Sequence, residues 1–263
     1  CGKEEKTMLF KLLKYDFRAM WKQFSLIWGA ALALALVNRF TLFQDTDNAI
    51  LSEDGLFMFA FICVIVAMFV IAVIFVVNRF SKGLLGDEGY LMHTLPVRPW
   101  QLVLSKLICG VVTWVGCGVV AFFSPALMLP LNLPDLIQFP LWRDIFRGIM
   151  KHPDMLVLAA EFFLVILSFV VLLIASMYLA MAVGHLFSRH RRLISVASFI
   201  GLYILISNVY GRVFSVRVVR SLMNMATVNA YGSMLTAAAI MLIPAAVFLA
   251  AVCWILENKL NLE

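Results

Sequence analysis

LFMFAFICVIVAMFVIAVIFVV, residues 56–77, is a run of 22 residues with no charge, no proline and no glycine. At ~1.5 Å per residue a helix of that length is roughly 33 Å long, enough to cross a hydrocarbon layer of ~30 Å. A helix apolar on every face has no side to offer to water, so it belongs inside a large core or inside a bilayer. The rest of the chain decides for the bilayer. It has 263 residues, 63% hydrophobic and 14% charged, with a mean hydropathy of +0.98. Soluble domains are about 25% charged. An ordinary soluble domain, a disordered chain and a collagen are all excluded.

Working outward from 56–77, five further runs of spanning length appear. The first extends from about Phe24 to Phe43, the third from Leu107 to Leu131 and the fourth from Met155 to Gly184. The fifth is Leu193 to Gly211 and the sixth Tyr231 to Leu256, with Pro244 in its interior predicting a kink. Residues 8–24 precede the spans. Phe10, Leu13, Phe17, Met20 and Phe24 recur there at steps of three and four, and Lys11, Lys14, Arg18 and Lys22 occupy another face. This pattern predicts a basic amphipathic helix lying on an anionic membrane surface or packed on a partner domain. The first run is too long for a signal-peptide core, so the expectation is a retained span.

Of the 21 Lys and Arg, 14 fall in segments that are cytoplasmic if the N-terminus is inside, and 7 in the opposite segments. The bias predicts both termini in the cytoplasm, and six spans agree in parity. The fold class is therefore all-α: a polytopic membrane protein with six transmembrane helices, an N-terminal amphipathic interfacial helix, and 1–263 as one transmembrane domain. The segments 132–154 and 212–230 are extracellular in this reading. The net charge of +6 is explained by cytoplasmic Lys and Arg, and no nucleic-acid partner is expected. No C-x-x-C occurs among Cys1, Cys63, Cys109, Cys117 and Cys253, and His93, His152, His185 and His190 form no H-E-x-x-H. No metal site is expected.

Several single residues stand out. Glu161 is the one acid inside a predicted span, which makes it a candidate for a pathway or gate, or else an ordinary carboxylate at the outer interface. Arg212, Arg217 and Arg220 cluster after the fifth span, suited to lipid headgroups or an anionic substrate. Ala197 and Gly201 form a small-xxx-small pair on the fifth span, a candidate face for a second helix. His185, Arg189, His190, Arg191 and Arg192 make the second inner loop a positive-inside anchor.

The connection 78–106 is the most distinctive. Gly83, Gly86 and Gly89 punctuate it, Asp87 and Glu88 sit side by side, and Pro96 and Pro99 close it. Tyr90, Leu91, Met92 and Leu95 give a short apolar face, enough for one or two helical turns flanked by acids that arginines on a neighbour can pair with. There is no G-x-x-x-x-G-K-[ST], so no P-loop is present to cradle nucleotide phosphates.

The string G-D-E-G-Y-L-M-H-T-L-P-V at 86–97, followed by Gln101-Leu102 and Ser105-Lys106, resembles the first cytoplasmic loop of ABC-2-type exporter permeases of Gram-positive bacteria. The ending Ile255 to Glu263 is similar to the tail of the same group. The resemblance implies a bacterial cell-membrane half-transporter. It pairs with a second permease, identical or paralogous, and docks a cytosolic ABC ATPase subunit that carries ATP and Mg; no cofactor is expected on this chain. Gly86, Asp87, Glu88, Gly89, Tyr90, Leu91, Thr94, Leu95 and Pro96 would form the coupling helix entering the ATPase cleft. The helix 8–24 would be the connecting helix, and the fifth span much of the permease dimer face. The stretch 212–230 would be a re-entrant or surface helix. The chain itself is not expected to be an enzyme. The implied activity is transport or extrusion of an amphipathic or hydrophobic substrate, such as a peptide, drug or lipid-like molecule. The alternative is an ATPase-coupled sensor or immunity module that removes antimicrobial peptides from the membrane, or signals, without carrying cargo across.

Overall fold

The structure, a computed structural model, describes residues 2–41, 53–85, 99–128, 153–187, 190–215 and 230–258. Six α-helices account for nearly all of them: α1 (Gly2–Thr41), α2 (Glu53–Phe80), α3 (Pro99–Met128), α4 (Pro153–His185), α5 (Arg191–Ser215) and α6 (Ala230–Asn258). There is no strand among the described residues. Each helix contains a stretch long and apolar enough to cross a membrane, from the 19 residues of Leu193–Gly211 to the 27 of Leu12–Asn38. The six expected runs are thus six helices; the described residues are helical apart from short connections, and the chain is a multi-pass membrane protein.

Local chemistry sets several boundaries. Pro99 and Pro153 each open a helix, where a missing N–H costs nothing because that donor has no intrahelical partner. α5 starts after His190, which has φ 64° and whose carbonyl accepts from Ile194 N at 3.1 Å. Within the spans, polar side chains bond to their own helix. Ser168 donates to Leu164 O at 2.7 Å, Ser176 to Leu173 O at 2.7 Å and Asn208 to Ile204 O at 2.8 Å. Back-bonding of this kind lets a hydroxyl or amide sit in an apolar helix without water.

Residues 8–24 and the first span belong to one helix: α1 runs uninterrupted over 40 residues. Two members of the apolar stripe, Met20 and Phe24, lie on its buried line. Asp16, Met20, Phe24, Ala31, Ala35 and Asn38 are buried, whereas Phe17 is exposed and Leu13 half-buried. The inward face passes through Asp16, one position before Phe17. Lys14, Arg18 and Lys22 are exposed, as a separate basic face requires.

The chain divides into two compact units. One comprises Lys14–Phe75 and Val112–Pro153. Aromatic side chains hold it together. Phe24 meets Phe75 edge-on with centroids 5.2 Å apart, Phe69 lies 5.5 Å from Trp114, and Trp21 packs on Trp28 at 6.0 Å. The Trp28 indole lies directly over Gly116, and its N–H donates to Cys117 Sγ at 3.5 Å. A bare backbone at 116 is what admits the ring.

The other unit comprises Cys1–Leu13, Val76–Val111 and Asp154–Glu263. Its centre is α4, where every residue from Ile174 to Ala182 is buried. Nine consecutive buried positions mean neighbours on all sides of the helix. A core cluster of Leu172, Ala175 and Ala245 joins α4 to α6, with Ile206 and Tyr210 of α5 packed against it. α4 and α5 form a tight hairpin: a Cβ on Gly184 would collide with Ser195 and lie 3.0 Å from the Arg191 carbonyl oxygen. α6 continues through Pro244. Proline has no N–H to offer the carbonyl four residues back, Ile240, and the Tyr210 hydroxyl donates to that oxygen at 3.0 Å. A neighbouring helix thereby satisfies the group that the proline orphans, as a lipid-embedded backbone requires.

Candidate functional site

The expected coupling loop lies between α2 and α3, so the site is built from the two helix ends that carry it. At Ser81 the α-helix widens into a π-helical turn, Ser81–Leu85. Such turns occur as single insertions and concentrate at functional places. The chain is described again from Pro99, where α3 begins.

Two contacts tie these ends to α4, and a third ties the ends to each other. Phe80, the last residue of α2, is fully buried and stacks on Tyr178 with centroids 4.1 Å apart and planes within 14°. Further along, a Cβ on Gly110 of α3 would lie 3.3 Å from both Val76 Cγ2 and Ile174 Cδ1. The α2 and α4 side chains therefore come together over the bare backbone of α3, which is how a glycine lets helices approach closely. On the π-helical turn, a Cβ on Gly83 would be 3.5 Å from Lys106 Cε and 3.8 Å from its Nζ. The Lys106 side chain thus passes along the turn, and with Gln101, Leu102, Val103 and Ser105 it is buried at the start of α3. The Ser105 hydroxyl donates to Leu102 O at 2.9 Å.

Both stems of the loop are thus packed on the most enclosed stretch of the unit. Fully burying Phe80 and Tyr178 contributes about 1.5–3 kcal/mol each, and an aromatic pair adds about 0.5–1.5 kcal/mol. A displacement of either helix end would reach α4 through these contacts, because close-packed side chains transmit displacement with little compression.

The remaining candidates scatter. Gly86, Asp87, Glu88, Gly89, Tyr90, Leu91, Thr94, Leu95, Pro96, Arg217 and Arg220 lie outside the described residues, as do most of 132–154 and 212–230 and the tail 259–263. Lys11 and Arg212 belong to α1 and α5, with side chains outside the description. Glu161 is buried, at 9% exposure, and its Oε2 has no hydrogen-bond partner among the described residues. Ala197 and Gly201 are exposed, and nothing lies within 4 Å of a Cβ built on Gly201. No residue from Leu193 to Gly211 is buried. No group of three metal-ligating side chains occurs among the described residues.

Sequence reasoning passed over Tyr178 and Gly110, and named Lys106 only within the loop string. Gly110 and Lys106 carried a weak signal, a glycine inside an otherwise bulky span and a lysine at its edge. Tyr178 carried none, since a tyrosine in an apolar helix is equally at home facing lipid. No family model, curated protein or solved structure matches the chain.

Proposed function

We propose that the chain is the transmembrane subunit of an ATP-driven ABC exporter, moving or extruding an amphipathic or hydrophobic substrate with a separate ATPase subunit. The observation that carries the reading is the joint under residues 86–98. The sequence Gly86-Asp87-Glu88-Gly89-Tyr90 reads as an acidic and aromatic knob, and the helix ends on either side of it pack on α4 through Phe80–Tyr178 and at Gly110. A knob that couples to a motor must be stiff at its root, and this one is rooted in the most buried part of its unit.

In this mechanism ATP closes a pair of partner ATPases, and each carries a knob with it. α2, α3 and α4 follow, and the permease pair alternates between states that differ in affinity for the substrate. Asp87 and Glu88 would pair with arginines on the ATPase, Tyr90 and Leu91 would fill an apolar notch, and Thr94 to Pro96 would end the contact. Lys11, Lys14, Arg18 and Lys22 would face anionic lipid or the ATPase from α1. Ala197 and Gly201 would meet the second permease. The membrane is a bacterial plasma membrane in this reading.

The test is a double replacement, Glu88→Ala with Tyr90→Ala, in the complex reconstituted with its ATPase. The expected outcome is a loss of permease-dependent stimulation of ATP hydrolysis, with insertion and thermal midpoint unchanged. Undiminished stimulation in the double variant would overturn the assignment of the knob.

A further inference from the structure

We propose that α1 binds an anionic membrane lipid along one exposed face, with the phosphate headgroup at Arg18 and Lys22 and an acyl chain beside Leu26, Gly29 and Ala33. Lys14, Arg18 and Lys22 stand four residues apart and are all exposed, and Leu26, Gly29 and Ala33 are exposed as well. At about 100° per residue these six positions fall within a sector of roughly 120°. One face of one helix is thus cationic along its first half and apolar along its second, the order of charge and hydrocarbon in an anionic lipid. Asp16, the acid between Lys14 and Arg18, is buried and lies roughly 140° round from the centre of this face.

The level of the switch fits a membrane boundary. Between Lys22 and Arg39 the chain has 16 residues, Gln23 to Asn38, without a charge. As helix they measure roughly 24 Å, less than a hydrocarbon layer of ~30 Å. Lys22 therefore extends its aliphatic stem outward and sets its ammonium among the headgroups. Arg18 stands one turn further out, about 6 Å, still within a headgroup layer about 5–7 Å deep. Trp21, 56% exposed beside the basic line, supplies an amphipathic ring at the same level. The helix is unbroken and residues 3–28 contain neither glycine nor proline, so no sharp kink separates the basic line from the apolar one.

Charge and depth select lipid over the other occupants. A second copy packed on this face, about an axis along the membrane normal, would set its Lys14, Arg18 and Lys22 against the same three residues, and like charges repel. A cytosolic protein can approach Lys14 from the water but not Leu26, Gly29 and Ala33 beyond the boundary. Among the described residues nothing lies within 4 Å of a Cβ built on Gly29, which leaves room for an acyl chain against the helix. Lipid is thereby chosen for basic positions that the exporter reading leaves to lipid or the ATPase, and the site needs no ATPase to exist.

The test uses the full chain, without a partner, in phosphatidylcholine nanodiscs doped with phosphatidylglycerol carrying a photoreactive diazirine on its acyl chain. Labelled peptides are mapped by mass spectrometry. Label is expected to concentrate on the stretch from Lys22 to Ala33. Arg18→Gln should lower it about fivefold, and Arg18→Gln with Lys22→Gln about thirtyfold, whereas Arg18→Lys should keep most of it. Gly29→Phe should displace label from this stretch while labelling of α2 persists; the position is exposed and open, so the packing of α1 is untouched. Labelling by a diazirine phosphatidylcholine should be weak and insensitive to the two glutamine changes. Label spread evenly over the exposed helices, label unmoved by the double glutamine variant, or equal labelling by the two lipids would each overturn the proposal. So would a photoreactive residue at Gly29 that cross-links to a second copy of the chain or to another protein.

Discussion

Tyr178→Ala is expected to destabilise the protein by about 3–5 kcal/mol, the range for removing a large aromatic from a packed core. The ring is 1% exposed, stacks on Phe80 and sits mid-way along nine consecutive buried residues, so little around it can relax into the space. Phe80→Ala removes the other half of the stack and should cost a similar amount. The two losses should not add. A double-mutant cycle, read as unfolding in mixed detergent, is expected to give a coupling of about 0.5–1.5 kcal/mol for the ring pair. Phe80→Leu keeps most of the volume and should retain most of the stability. If loop 86–98 drives the helices through this joint, Phe80→Leu should still loosen the link between ATP hydrolysis and substrate movement. Independent losses in the cycle would show that the stack does not join the two helices energetically.

The second large effect is expected at Gly116. An alanine Cβ there would overlap the Trp28 indole, which is rigid and already held by Phe24 and by its bond to Cys117. Overpacking of this kind costs about 1–3 kcal/mol, and displacing the ring also breaks the indole–thiol contact. Gly116→Ala should therefore lower the thermal midpoint clearly, whereas Gly118→Ala, with nothing within 4 Å of the added carbon, should not. Shrinking the partner reverses the logic: in a Trp28→Leu background, Gly116→Ala should cost little. A Gly116→Ala penalty that persists in that background would place its cause elsewhere than the ring.

The spans were legible because crossing a bilayer leaves a mark that needs no long-range information: about 20 apolar residues in a row. The continuity of α1 was also legible in hindsight. No glycine or proline interrupts residues 3–28, so nothing in the backbone stops a helix between the basic arm and the first span. Which face of α1 turns inward was not legible, because burying Asp16 rather than Phe17 depends on neighbours brought from elsewhere in the chain. The same limit hid the joint. In α2 and α4 nearly every residue is apolar, so periodicity cannot separate the side facing lipid from the side facing protein, and Tyr178 looks like any other aromatic. Pro244 was legible only as a kink; the donor that serves the carbonyl it frees at Ile240, Tyr210, is 30 residues away on another helix. The candidate knob was readable as a pattern of glycines, acids and an aromatic, whereas the stiffness of its root required the fold.

The most direct test of the central claim is to purify the chain from its native host in mild detergent and identify by mass spectrometry what remains bound. The account predicts a stoichiometric P-loop ATPase of the ABC class, released by Glu88→Ala with Tyr90→Ala, and a second permease in the same particle. A folded, monodisperse chain that retains no ATPase, while Phe80–Tyr178 packing is intact by the double-mutant cycle, would contradict it.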